Sequence, residues 1–151
     1  MFNHIRIVLV NLSHPGNIGA TVRYEKHGLL KIVLGSKGIF PHEQATARAA
    51  GADDILAQAI VVDDLNTVLK GCNSVYGSSA RDHTLTWPLK TVRRCGKQVV
   101  TQAGKIAIVF GRERSCLTNE ELSYCHYHLT IPAKKRIQLF KFSASCANYY
   151  V

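Results

Sequence analysis

Three short stretches of this 151-residue chain carry residue types whose spacing could do chemistry. The first is Gly16-Asn17-Ile18-Gly19-Ala20-Thr21-Val22-Arg23. A glycine-bearing loop that opens a helix offers backbone N–H groups to a phosphate. Arg23, about one helical turn beyond Gly19, could reach back to the same end. The same residues read equally as a plain helix start followed by a solvated arginine, and the G-x-G-x-x-G dinucleotide spacing is absent. The second stretch is Val109-Phe110-Gly111-Arg112-Glu113-Arg114. A glycine ending a buried strand lets a ligand approach the backbone, and arginines flanking a glutamate can grip phosphate and orient one another. Thr118 and Glu121 lie just beyond at capping-box spacing, so a charged turn into a helix accounts for the neighbourhood as well. The third is Gly77-Ser78-Ser79-Ala80-Arg81, where small residues leave room for a flat ring or a ribose; alone it reads as a polar loop.

The elements that must position these residues follow from the apolar pattern. Short buried runs at Ile5–Val10, Leu30–Leu34, Ile60–Val62, Ser74–Tyr76, Ile106–Phe110 and His128–Ile131 predict strands. Helices are predicted over Asn17–His27, His42–Ala50, Asp64–Lys70 and Leu89–Ala103, with another around Thr118–Glu121. Strands alternating with helices predict an α/β fold with a mostly parallel sheet flanked by helices. Ligands bind such sheets beyond the carboxyl ends of the strands. All three stretches follow predicted strands, as does Pro132. The segment Ser78–Pro88 is expected to be a polar loop, and neither an internal repeat nor a low-complexity linker is visible.

Composition narrows the class. The hydrophobic share is 46% and the charged share 19%, ordinary for a globular protein. Lys plus Arg outnumber Asp plus Glu by 19 to 10, a net +9 that suits a phosphate-rich partner. No apolar run reaches the ~18 residues of a membrane span, and the start reads as a strand and not a signal peptide. A cytoplasmic protein without a membrane partner is expected. Cys72, Cys95, Cys116, Cys125 and Cys146 form no C-x-x-C pair and are odd in number, which suits reduced thiols. Cys125-His126-Tyr127-His128 invites a metal reading, but on a strand residues 126 and 128 would share one face and 125 the other. With no second ligand pair in the sequence, no metal is expected.

Together the three stretches resemble one family. Asn-x-Gly-x-x-x-Arg, Gly-Ser-Ser-Ala-Arg and Phe-Gly-Arg-Glu-Arg-x-x-Leu-Thr-Asn-Glu-Glu-Leu are similar to the SpoU branch of the SPOUT methyltransferases, and within it to the TrmJ type. Ile5–Val10, Ala49-Ala50-Gly51-Ala52 and Cys125–His128 share the likeness, which covers most of residues 1–133. The resemblance implies a parallel sheet with a C-terminal trefoil knot, a homodimer, and S-adenosyl-L-methionine as cofactor. It also implies 2′-O-methylation of a tRNA ribose, at cytidine or uridine 32 of the anticodon loop. Carried over by residue, Asn17 and Arg23 sit at the reacting ribose, while Ser78, Ser79, Ala80, Gly111 and Ile131 line the cofactor pocket. Arg81, Arg112, Glu113 and Arg114 are left for RNA contact or support of the pocket. A catalytically defective, dimeric RNA-binding relic of such an enzyme is the alternative.

The chain departs from the family pattern in two places. After Arg23 the family reads A-M-K-x-M-G, where this chain has Tyr24-Glu25-Lys26-His27-Gly28. After Ile131-Pro132-Ala133 it reads roughly N-x-E-Y-S-S-L-N-L-A-Q-A-V-Q, where this chain has Lys134 through Val151. Back-translated with the frame moved forward by one base, both stretches can encode the family's residues. The chain is therefore expected to be one methyltransferase core over 1–151 with a frameshifted tail over 131–151 and no C-terminal helical extension. Cys116 also stands where the family has glycine. The coding DNA around codons 23–36 and 133–151 tests the frameshift: one base forward it should spell the family motif, and codons that cannot do so rule the idea out.

Overall fold

The computed structural model describes residues 2–25, 29–34, 42–79, 89–112 and 115–130. Its seven strands are β1 (Phe2–Leu9), β2 (Leu29–Leu34), β3 (Ile60–Val61), β4 (Ser74–Ser79), β5 (Leu89–Thr91), β6 (Ile106–Phe110) and β7 (Tyr127–Thr130). Its helices are α1 (Pro15–Glu25), α2 (Glu43–Ala49), α3 (Asp53–Ala57), α4 (Leu65–Leu69), α5 (Val92–Thr101) and α6 (Asn119–Ser123). The strands form one sheet in the order β3-β2-β1-β6-β4-β7-β5, and every pairing is parallel. The predicted α/β fold with a parallel, helix-flanked sheet is what forms.

Strands covered on both faces are mostly apolar; β6, Ile-Ala-Ile-Val-Phe and buried throughout, is the clearest case in this sheet. Ile5, Ile7 and Leu9 of β1 join one core with Ile106, Ile108 and Phe110 of β6. The same core takes Ile18 and Val22 of α1, Ala45 and Ala49 of α2, Leu56 of α3, and Cys95 and Val99 of α5. On the opposite face Val8, Val75, Ala107 and Val109 pack with Val68 and Leu69 of α4 and Leu122 of α6. Each fully buried aliphatic side chain contributes roughly 1.5–3 kcal/mol, so the two clusters together dominate what holds the sheet.

Three predicted boundaries change and one helix is new. Serines 78 and 79, expected in a loop, continue β4 because β7 lies alongside: Ser78 pairs with Leu129 and Ser79 with Thr130. The predicted helix Leu89–Ala103 begins instead as strand β5, with Leu89, Lys90 and Thr91 paired to His128, Leu129 and Thr130. The hydroxyl of Thr91 then caps α5, accepting from the Arg94 amide at 3.4 Å. Helix α3 was not anticipated; its signals are two acidic residues in the first turn and buried Leu56. Helix α1 starts at Pro15, two residues earlier than predicted, so Gly16 as well as Gly19 lies within it. The capping box at Thr118 and Glu121 forms as expected. Among the described residues no helix is long and apolar enough to cross a membrane.

Gly19 has a packing reason. A Cβ built there would stand 2.0 Å from the Ala45 carbonyl oxygen and 3.0 Å from the Ala49 amide, so α1 and α2 touch backbone to backbone. Ala45 and Ala49 are fully buried at this contact, which explains the small residues on this side of α2. At Gly16 the nearest neighbour is the flexible Arg48 side chain, at 3.0 Å. Gly19→Ala should therefore cost about 2–3 kcal/mol through overpacking, whereas Gly16→Ala should cost under ~1 kcal/mol. Urea denaturation of the two variants side by side checks the ranking; equal costs would contradict it.

Candidate functional site

The strand order reverses between β1 and β6. The chain leaves β1 toward β2 and β3 on one side, and β6, β4, β7 and β5 fill the other. A crevice at the carboxyl ends of the strands beside such a reversal is where open α/β sheets bind ligands. Pairing continues past β1, with the Val10 amide donating to the Phe110 carbonyl at 2.8 Å. Gly111 thus starts beside the β1–α1 loop. On its other side β4 ends in Ser78 and Ser79, both buried, and Ser79 lies abreast of Thr130 and, one strand further, Thr91. The carboxyl edge from β6 to β5 is therefore finished in glycine, serine and threonine, residues too small to fill a crevice.

Gly111 serves the chain's own backbone. A Cβ there would lie 2.4 Å from the Cys116 carbonyl carbon and from the Leu117 amide. The turn after β6 folds back directly over it. The Cys116 amide donates to the Arg112 carbonyl at 2.9 Å, and a single bridge joins the two residues. Cys116 holds φ at 58°, the left-handed region that favours glycine. That is the physical reason for a glycine at this position in the family pattern.

Arg112 and Glu121 pin the turn. The guanidinium donates from Nη1 to Oε2 at 3.0 Å and from Nη2 to Oε1 at 3.1 Å, a two-pronged pair. Glu121 Oε2 also accepts the Thr118 amide at 2.7 Å, and the Thr118 hydroxyl accepts the Glu121 amide at 3.2 Å. Burial pushes the Glu121 carboxyl up, but hydrogen bonds from Arg112 and Thr118 and the charge of Arg112 outweigh it and hold the group below its usual range. One carboxylate therefore caps α6 and fixes the arginine that follows Gly111. The capping box was visible in the sequence; the Arg112 pair, across a turn of irregular length, carried no periodic signal.

Asn17 sits half-buried near the start of α1, its amide donating to the His14 carbonyl at 3.0 Å and its carbonyl accepting the Thr21 hydroxyl at 2.9 Å. Arg23 lies on α1 six residues further, about 9 Å of helical rise; its side chain is outside the described residues. So are Ala80, Arg81, Glu113, Arg114, Ile131 and the tail from Lys134. The structure brings Ser78, Ser79 and Gly111 to one edge. His126 acts in the fold: its amide donates to the Val75 carbonyl and its Nδ1 accepts the Val75 amide, both at 2.9 Å. Cys72, Cys95, Cys116 and Cys125 are free thiols, and burial pushes Cys95 and Cys125 up to about 12, too high for a thiolate nucleophile.

A parallel sheet with a reversal beside β1, a turn folded over a glycine, and small residues along the carboxyl edge define a class with known members. The chain belongs to the SpoU rRNA methylase family, whose model matches residues 4–147. Within that family it is similar to the tRNA (cytidine/uridine-2'-O-)-methyltransferase TrmJ of Photorhabdus laumondii, 50% identical over 135 residues, 87% of this chain and 56% of that protein. It thus spans about half the length of the curated relatives it matches. A probable methylase family protein from Haemophilus influenzae superposes with a TM-score of 0.88 at 43% identity, over 99% of this chain and 66% of that one. The SpoU methyltransferase AviRb from Streptomyces viridochromogenes, solved in complex with AdoMet, shares the fold at a TM-score of 0.72 and 16% identity, over 96% of this chain and 57% of that one.

The left-handed backbone at Cys116 yields a test. Cys116→Gly should stabilise the chain by about 1 kcal/mol, because the strain of a side chain at positive φ exceeds the entropy that glycine loses on folding. A higher midpoint in urea is the expected result, and an unchanged or lower midpoint would contradict the strain.

Proposed function

We propose that this chain is the core of an S-adenosylmethionine-dependent tRNA 2′-O-ribose methyltransferase acting at nucleotide 32 of the anticodon loop. The observation that carries the reading is half-identity with a TrmJ enzyme across nearly the whole chain. The buried Ser78 and Ser79 beside Gly111, and the turn held by Arg112 and Glu121, support it. Residues 1–151 form a single core in this reading, working in the cytoplasm as a homodimer. A trefoil knot closes its C-terminal side. The knot is carried over from the family to which the chain belongs.

The cofactor, when bound, supplies an electrophilic methyl group. What remains for the protein is to hold the ribose in line with it and keep water out. Ser78, Ser79, Ala80, Gly111 and Ile131 line the cofactor's place, and Asn17 and Arg23 face the ribose. A guanidinium stays protonated in nearly every environment, so Arg23 serves first as a clamp on the phosphate beside the reacting ribose. Removal of the hydroxyl proton by Arg23 requires a neighbouring cation or burial that lowers its affinity for its own proton.

Calorimetry and methyl transfer on the full chain test this together. Micromolar S-adenosylmethionine binding is expected, and Arg23→Ala should lower kcat about 100-fold or more. Unchanged transfer in that variant removes Arg23 from the site. If no cofactor binds while tRNA binds with salt-sensitive affinity, the chain is an RNA-binding relic and not an enzyme.

A further inference from the structure

Between Asp82 and Glu113 the chain has no acidic residue, yet it has six cations: Lys90, Arg93, Arg94, Lys97, Lys105 and Arg112. The structure sorts them. Arg112 is committed to Glu121. Lys90 donates to Gln98 Oε1 at 2.6 Å and stands 3.7 Å from the centre of the Tyr127 ring, so it braces β5 against β7. Lys105 immediately precedes β6, at the amino edge of the sheet. Arg93, Arg94 and Lys97 remain, all exposed on α5, and among the described residues none of them enters an ion pair.

Their placement works against the helix that carries them. Thr91 caps α5, which puts Arg93 and Arg94 in its first turn, and no acidic residue stands there. The positive end of a helix favours carboxylates and disfavours cations, by roughly 0.3–1 kcal/mol each. Arg93 and Lys97 are also like charges four residues apart, a further small cost. The buried side of α5 shows nothing unusual: Val92, Cys95 and Val99 enter the core. The charges are therefore not explained by folding, and a local rule broken without a folding benefit marks a functional surface.

We propose that Arg93, Arg94 and Lys97 form a docking surface for the phosphate backbone of the tRNA, flanking the cofactor edge. Thr91, Thr130 and Ser79 lie abreast on three neighbouring strands, so α5 begins about two strand spacings, ~10 Å, from the end of β4. That is one to two phosphates along an RNA strand from a ribose held at the edge. The proposal rests on tRNA being the substrate. Phosphate contacts of this kind position the strand without reading its bases.

The experiment measures binding of an unmodified tRNA transcript to the full chain across a salt series. Arg93→Ala/Arg94→Ala/Lys97→Ala should weaken binding at least about tenfold and reduce the slope of log affinity against log salt by about 2–3. Its S-adenosylmethionine affinity should stay within twofold of wild type. Arg93→Glu/Arg94→Glu should lose tRNA binding while melting at or above the wild-type temperature, because acids suit the first turn. A purely structural role predicts the opposite: a lower melting temperature with the salt slope intact. That result, or wild-type chain that binds phosphatidylserine vesicles but not tRNA, overturns the proposal. Wild-type chain that binds tRNA but no cofactor sinks only the methyl-transfer reading, and the slope comparison still decides the surface.

Discussion

Every strand of the sheet runs in the same direction, and most of the molecule's organisation follows from that constraint. Parallel neighbours cannot be joined by a tight turn, so each connection must travel the length of the sheet, usually as a helix on one face. All seven carboxyl ends consequently fall on one edge. Residues far apart in the chain, such as Ser79, Gly111 and Thr130, become neighbours there without any direct contact having been specified between them. The β1–β6 pairing at the centre is the hinge of this arrangement. It buries apolar side chains on both faces and sets where the strand order reverses.

Around that edge the chain uses missing side chains as structural parts. At Gly19 the absent Cβ lets two helices meet at their backbones; at Gly111 it lets a turn close over the strand that precedes it. Both glycines stand in stretches that look like ligand-binding loops on paper. In the fold both bring the chain close to itself, and Gly111 does so beside the small polar residues at the strand ends. The Arg112–Glu121 pair shows the same economy, since one carboxylate caps a helix and anchors a guanidinium.

The inner strands and most helices were legible in the sequence because unbroken aliphatic runs between helical stretches suit little besides buried strands. What was missed depended on partners. Ser78 and Ser79 have loop-like composition and become strand only because β7 accepts their backbone. Leu89-Lys90-Thr91 has no strand signal of its own and borrows one from His128–Thr130. Of the candidate site, the sequence motifs pointed to Ser78, Ser79 and Gly111, which the sheet brings to one edge, while the Arg112 pair and the conformation of Cys116 needed a folded turn to exist. The oddly cationic start of α5 is the reverse case: it is plain in the sequence, but it becomes informative only once Thr91 is known to cap the helix.

The interleaved strand order also has a bearing on how the chain comes into being. β1 is synthesised well before its partner β6, which lies about a hundred residues later. Until that partner is made, the two flanks it will join present open strand edges, which are templates for pairing with other chains. Contacts of such sequence separation are slow to form. A nascent or interrupted chain would therefore spend its early life exposed to aggregation, and the finished sheet would owe its persistence to the difficulty of extracting two interior strands once inserted.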